Sequence, residues 1–183
     1  MAYFEDLSDY TYHNSFFYRP NTRNVGWLGL GHDFPKLTPS EETLDLVWEH
    51  CKISIAQMRG IHHCEFCAGP PPQIYAVRNG LKLSLGSSEI RVLSKDGYIY
   101  AAPSLICHYI RSHHYKPPDE FLHALVEGVR PQNPKYFALL DELGLEWQKK
   151  SHVKVQPKAF KFEKIDGEER RVELDLPTHV DED

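Results

Sequence analysis

No apolar run in this 183-residue chain approaches the roughly 18 residues that a membrane-crossing helix needs, and the mean hydropathy is -0.50. The opening residues, Met1-Ala2-Tyr3-Phe4-Glu5-Asp6, carry neither a basic stretch nor an apolar segment. No secretory leader is therefore expected, no membrane partner either, and the reading is cytoplasmic. Positive charge is not in excess: 21 Lys and Arg face 26 Asp and Glu, for a net charge of -5. Duplex binding shows as a basic stripe, and here the only basic-leaning run, Lys149 to Lys164, is followed by acidic residues. Nucleic acid is not the expected partner, whereas the acidic balance suits a basic one. There is no Gly-x-Ser-x-Gly elbow, no His-Glu-x-x-His, no internal repeat and no low-complexity run. Gly29-Leu30-Gly31 lacks both the remaining spacing and the preceding strand of a phosphate-binding loop. A zinc deaminase needs His-x-Glu upstream of Pro-Cys-x-x-Cys, and neither the order nor the glutamate fits. These absences remove the commonest hydrolase, zincin, nucleotide-binding and deaminase readings.

What is present is apolar material for a core, with 41% hydrophobic and 12% aromatic residues. A chain of this length buries about 70% of its unfolded surface and needs no covalent staples. Residues 1–37 hold many aromatics without a helical period, which predicts an irregular segment wrapped on the rest. Thr38-Pro39-Ser40-Glu41 reads as a capping box opening a helix over 38–51, with Leu44, Val47, Trp48 and Cys51 on its apolar stripe. Gly69-Pro70-Pro71-Pro72 predicts a stiff extended stretch. A three-stranded antiparallel meander follows: Ile74–Arg78, a turn at Asn79-Gly80, a strand carrying Leu81, Leu83 and Leu85 that continues through Glu89–Leu93, a turn at Lys95-Asp96-Gly97, and Tyr98–Ala101. Three helices come next. One opens at Pro103-Ser104 and stops before Pro117-Pro118. Another spans about Pro118 to Glu127, with Phe121, Leu122, Leu125 and Val126 inward. The last is capped by Asn133, with Pro134 at its start, Gly144 at its end and an apolar face of Tyr136, Phe137, Leu139, Leu140 and Leu143. Residues 151–177 read as a late hairpin turning at Asp166-Gly167, and His179 to Asp183 as an acidic tail. The domain reading is an α+β unit over 1–150 and a C-terminal hairpin extension over 151–183.

The chemistry concentrates in four cysteines and 11 histidines. In a cytosolic chain Cys-x-x-Cys points to metal or redox chemistry before a structural disulfide, and no thioredoxin-like strand leads into this one. Cys64-Glu65-Phe66-Cys67 forms a knuckle whose single tight turn aims both sulfurs at one ion. Zinc asks for four tetrahedral N or S ligands. His108 and His113 follow about forty residues later, and the order knuckle, meander, helix brings the helix start back beside the knuckle, as in treble-clef folds. The first-choice Zn2+ site is thus Cys64, Cys67, His108 and His113. A spacing of five residues turns about 140° on a regular helix, so both histidines reach one ion only if the helix opens near His113. The rival fourth ligand is His62, which shares a side with Cys64 in extended chain. His63 and His114 read as exposed neighbours, Cys51 as a buried apolar group, and His32 as an isolated loop histidine. Glu89 and Arg91 share one strand face and read as a surface or interface ion pair.

Together, Asn24-Val25-Gly26-Trp27-Leu28, Gly60-x-His62-x-Cys64-Glu65-Phe66-Cys67, Leu85-Gly86-Ser87-Ser88-Glu89-Ile90-Arg91-Val92 and the run Tyr100-Ala101-Ala102-Pro103 through His108-Tyr109-Ile110, His113, Tyr115, Pro117-Pro118 and Phe121 resemble a family of uncharacterised bacterial proteins, a domain of unknown function, over about residues 1–128. The resemblance implies a bacterial origin, brings no activity, and supports His62, Cys64, Cys67, His108 and His113 as the residues to test. Four protein ligands close a metal sphere, and no nucleophile–base pair is visible. The sequence therefore reads as a zinc-containing interaction or regulatory module acting on another protein. The alternative is a metal-dependent hydrolase with His62 or His113 as acid–base and Glu65 or Glu89 assisting.

Overall fold

A computed structural model describes residues 3–12, 17–67, 74–150, 153–154, 159–165 and 168–174. The Gly69–Pro72 stretch, the Asp166-Gly167 turn and the acidic tail lie outside the described residues. The architecture is mixed α+β, and among the described residues no helix is long and apolar enough to cross a membrane.

Its centre is a five-stranded sheet in the order β1-β6-β5-β2-β7. The strands are β1 (Thr22–Asn24), β2 (Ile53–Ile55), β5 (Glu89–Leu93), β6 (Ile99–Pro103) and β7 (Trp147–Lys149). β1 runs parallel to β6, and the other pairs are antiparallel. Side chains alternate faces along a strand, and here both faces are covered. Ile90, Val92, Tyr100 and Ala102 pack with α1 (Glu41–Cys51), α2 (Ile106–His113) and α3 (Asp119–Glu127). On the other face, Leu93 and Ile99 meet Tyr136 and Leu140 of α4 (Pro134–Glu142), and Ala101 meets Tyr10 and Trp27 of the N-terminal segment. That segment is strapped on by backbone bonds: Phe4 N–H to Trp27 O, Leu7 N–H to Asn24 O and Tyr10 N–H to Thr22 O.

The helices follow their sequence signals, with two shifts. Ser40, not Thr38, caps α1, its hydroxyl accepting from the Thr43 amide at 3.1 Å. The cap thus sits two residues further on than the sequence suggested, with Pro39 ahead of it and Thr43, not a glutamate, three residues after it. In α3 the buried residues are Phe121, Ala124 and Leu125, while Val126 is 43% exposed. α4 begins as expected, with the Asn133 side chain accepting from the Lys135 amide.

The expected meander is instead two hairpins in two sheets. β3 (Tyr75–Arg78) and β4 (Leu81–Ser84) join across Asn79 and Gly80, both at positive φ as a tight hairpin turn requires. They form a separate sheet, order β3-β4-β8, with β8 at Val153–Lys154. The chain breaks between β4 and β5 at Gly86, whose φ is +91°, and leaves the first sheet for the second. Val153, expected to open the late hairpin, therefore pairs with β4. β9 (Ala159–Ile165) and β10 (Glu168–Leu174) make a two-stranded antiparallel hairpin of their own, with Glu163 opposite Arg170 and Lys164 opposite Glu169.

Candidate metal centre

The turn after His63 carries the knuckle. Its approach is fixed by the His62 backbone amide, which donates to Gly86 O at 2.8 Å at the break between the two sheets. Cys64 is buried and Cys67 half-buried. Phe66 between them wedges its ring against Phe34, Tyr109 and His113, with centroids 5.4, 6.0 and 5.5 Å away. Facing the knuckle is α2, with His108 in its first turn and His113 as its last residue.

Those two imidazoles converge: their Nε2 atoms are 3.2 Å apart. A regular helix would splay them, but the last turn of α2 is widened. The amides of His114 and Tyr115 both reach back to Tyr109 O, five and six residues earlier, and His114 takes a left-handed φ of 57°. An opened turn of this kind is a feature common at functional sites, and here it begins where His113 ends the helix. The helix's partial negative end then lies near the convergence point, which favours a cation there.

Cys64, Cys67, His108 and His113 each offer one donor atom, and all four atoms lie within 4.8 Å of one another. Cys64 Sγ is 3.1 Å from His113 Nε2, and Cys67 Sγ is 3.3 Å from His108 Nε2 and 3.5 Å from His113 Nε2. A tetrahedral zinc with bonds of about 2.3 Å to sulfur and 2.0 Å to nitrogen sets S···N edges of about 3.5 Å and an N···N edge of about 3.3 Å. The three S···N edges and the N···N edge given above are therefore close to what such an ion requires, and the other two lie within 4.8 Å. Burial, with His113 beside it, pushes the His108 imidazole down to about 4, and burial, then the charges of Lys36 and His114, lowers His113. Burial pushes the Cys64 thiol up to about 11. Without an ion the imidazoles are thus neutral and ready to donate, while the Cys64 thiol keeps a proton that a metal must displace.

The other candidates stand apart from this cluster. The His62 side chain turns to the Tyr12 hydroxyl, 3.3 Å from Nε2, and is not among the four converging donors. Tyr12 gave no sequence signal beyond being one of many aromatics. His114 is exposed as expected. His63 is half-buried rather than exposed, and its Nδ1 is buried with no hydrogen-bond partner among the described residues. The Glu65 carboxylate accepts from the Leu30 amide at 3.0 Å. His32 stacks on Tyr3 with centroids 3.5 Å apart. Cys107, next to His108 in sequence, is buried in the core, where the neighbouring Cys51 thiol donates to Ser104 O at 3.6 Å.

Glu89 and Arg91 are not a surface pair. Both are buried in β5, with Arg91 Nη1 2.6 Å from Glu89 Oε2, Tyr10 OH donating to Glu89 Oε1 at 2.9 Å, and Tyr136 OH donating to Arg91 O at 2.6 Å. β5 is interior on both faces, so its charges pair within the core. Beside the cluster, an open groove of about 550 Å³ reaches His113 and is lined also by His32, Phe34, Lys36, Phe66 and His114.

A family model described as a domain of unknown function (DUF7919) matches residues 2–126, a span that holds all four donors. No curated protein and no solved structure matches the chain.

Proposed function

The chain belongs to this family of unknown function, and from that premise we propose that it is a zinc-binding bacterial protein of the cytoplasm, a non-enzymatic interaction or regulatory module for another protein. In this reading Cys64, Cys67, His108 and His113 hold one Zn2+ that fixes the fold. The observation that carries it is the convergence of the four donors within 4.8 Å, with three S···N edges and the N···N edge at 3.1 to 3.5 Å, close to those of a tetrahedral ion. Four protein donors leave no position for water, which separates a structural ion from a catalytic one. The ion would tie the knuckle to α2. In small zinc modules such binding contributes about 10–16 kcal/mol, comparable to or more than a domain's net stability.

The groove against His113 favours a second reading, a metal-dependent hydrolase with His113 as acid–base. That reading requires His113 to leave the ion. It gains nothing from Glu89, whose carboxylate is held by Arg91 and Tyr10.

Elemental analysis of purified protein, with a ligand-by-ligand variant series, tests both. About one zinc per chain is expected. Cys64→Ser, Cys67→Ser and His108→Ala should each lose the ion and most soluble protein. A folded, metal-free Cys64→Ser protein would remove the structural role. If His113→Ala keeps its zinc, binds an added anion at the metal and retains its fold, the hydrolase reading takes over.

A further inference from the structure

On the far side of Asp33 and Phe34 from the metal centre lies a second groove, of about 430 Å³. One wall is the N-terminal strap, with Tyr3, Phe4 and Glu5. The other is the run Lys116-Pro117-Pro118-Asp119, tied to the loop before α1 by the Lys116 amide, which donates to Pro35 O at 2.9 Å. The walls are rigid for a physical reason: prolines restrict one side, and the other is pinned at Asp6, which accepts from the Gly26 amide at 2.8 Å and from Tyr115 OH at 2.7 Å.

Three features of this groove select the same ligand chemistry. Its carboxylates outnumber its cations, with Glu5, Asp6, Asp33 and Asp119 against Lys116 alone. Lys116 is already spent on Asp119 at 2.9 Å, and Asp6 on its two donors, so Glu5 and Asp33 face the groove with no ion-pair partner among the described residues. Its aromatic lining already receives a cation from the chain itself, with Lys36 Nζ 5.3 Å from the Phe34 ring, and Tyr3, stacked on His32 by one face and 39% exposed, is the ring left open to a partner's cation. The net charge of -5 adds long-range attraction of the same sign.

We propose that this groove docks an extended, lysine- or arginine-rich peptide segment of a partner protein, its cationic side chains held by Glu5 and Asp33 and its stems laid on Tyr3 and the Pro117-Pro118 wall. The inference rests on the interaction-module reading and names the surface and the partner's chemistry. It does not depend on the metal, because none of the four donors lines this groove.

The test is fluorescence anisotropy on the full chain as purified. A labelled lysine/arginine octapeptide is compared with a glutamate/aspartate octapeptide, and zinc content is measured on the same samples. The basic peptide should bind and the acidic one should not. The double variant Glu5→Lys, Asp33→Lys should weaken binding by at least about tenfold, because each reversal turns a close attraction into a repulsion. Reversing Glu142, exposed on α4, should leave binding unchanged. If the charge reversal unfolds the protein, the milder Glu5→Gln, Asp33→Asn pair replaces it and should still weaken binding. The proposal is overturned if the two peptides bind equally or neither binds, or if Glu142→Lys weakens binding as much as the groove variants. It is also overturned if sedimentation shows a dimer that the groove variants dissolve and the basic peptide does not, since the occupant is then a second copy. Absence of zinc with groove-dependent binding would sink the metal reading alone.

Discussion

Replacing Gly86 by alanine tests how the knuckle is held. At φ +91° an L-residue is strained, by about 1–2 kcal/mol in the left-handed region. An added Cβ would also sit 2.3 Å from His62 O, a distance that real Cβ atoms essentially never show. The obstacle is a backbone carbonyl, so relief requires moving the segment that leads into Cys64. Such overpacking costs typically about 1–3 kcal/mol. The expected loss is therefore about 2–5 kcal/mol for Gly86→Ala, together with weaker metal binding, because His62 lies two residues before the first sulfur. Gly97 supplies the control. Its φ is +86°, and its Cβ would meet nothing within 4 Å, so Gly97→Ala should show the backbone strain alone. The assay is urea unfolding of metal-loaded and chelated protein, with metal affinity read by competition against a chelator. If the two variants lose the same stability to within about 0.5 kcal/mol, or if Gly86→Ala keeps wild-type metal affinity, the His62–Gly86 contact does not position the site.

The remaining expectations are shorter. His50 is buried with Nδ1 bonded to Leu46 O, and burial lowers its pKa to about 4. The unfolded chain takes up that proton first, so the contribution of His50 is complete above pH 6.5 and is lost as pH falls towards 4, in total about 3 kcal/mol. His50→Leu should flatten this acid limb in urea titrations, and an unchanged slope would assign the loss elsewhere. Glu89→Leu alone strands the Arg91 guanidinium in the core and should cost about 3–5 kcal/mol, while Glu89→Leu with Arg91→Met should recover much of it. Equal losses in the single and double variants, read as unfolding midpoints, would contradict a desolvated pair. His62→Ala should keep its zinc by elemental analysis, and metal loss would return His62 to the coordination sphere.

The parts of this fold that were legible in the sequence are those whose signal is local. The stripe of Leu44, Val47, Trp48 and Cys51, the Asn133-Pro134 start and the Asn79-Gly80 turn each state their geometry within a few residues. β1, β2 and β7 have three residues each, too few to display a period of two, and only their partners define them. The split of the meander at Gly86 was hidden for a similar reason: alternation runs smoothly from Leu81 to Leu85, and the break is imposed by a distant peptide at His62. The Cys64, Cys67, His108, His113 grouping was legible from donor type and spacing. The choice between His113 and His62 was not, because it turns on how the last turn of α2 opens. Glu89 and Arg91 show the limit of reading charge as surface. Two ionic residues on one strand face look solvated until both sides of the strand are known to be covered.

The N-terminal strap bears on the order in which this molecule can assemble. Tyr10 finds its carboxylate 79 residues later, and Asp6 its tyrosine hydroxyl 109 residues later. Synthesis delivers the strap long before either partner exists. During translation the Glu89–Arg91 pair therefore emerges with its aromatic cover already made but not yet docked. Closure over distances of that kind is slow, because chain entropy is lost before any contact offsets it. The last event in forming the sheet's second face should be the return of its earliest-made segment.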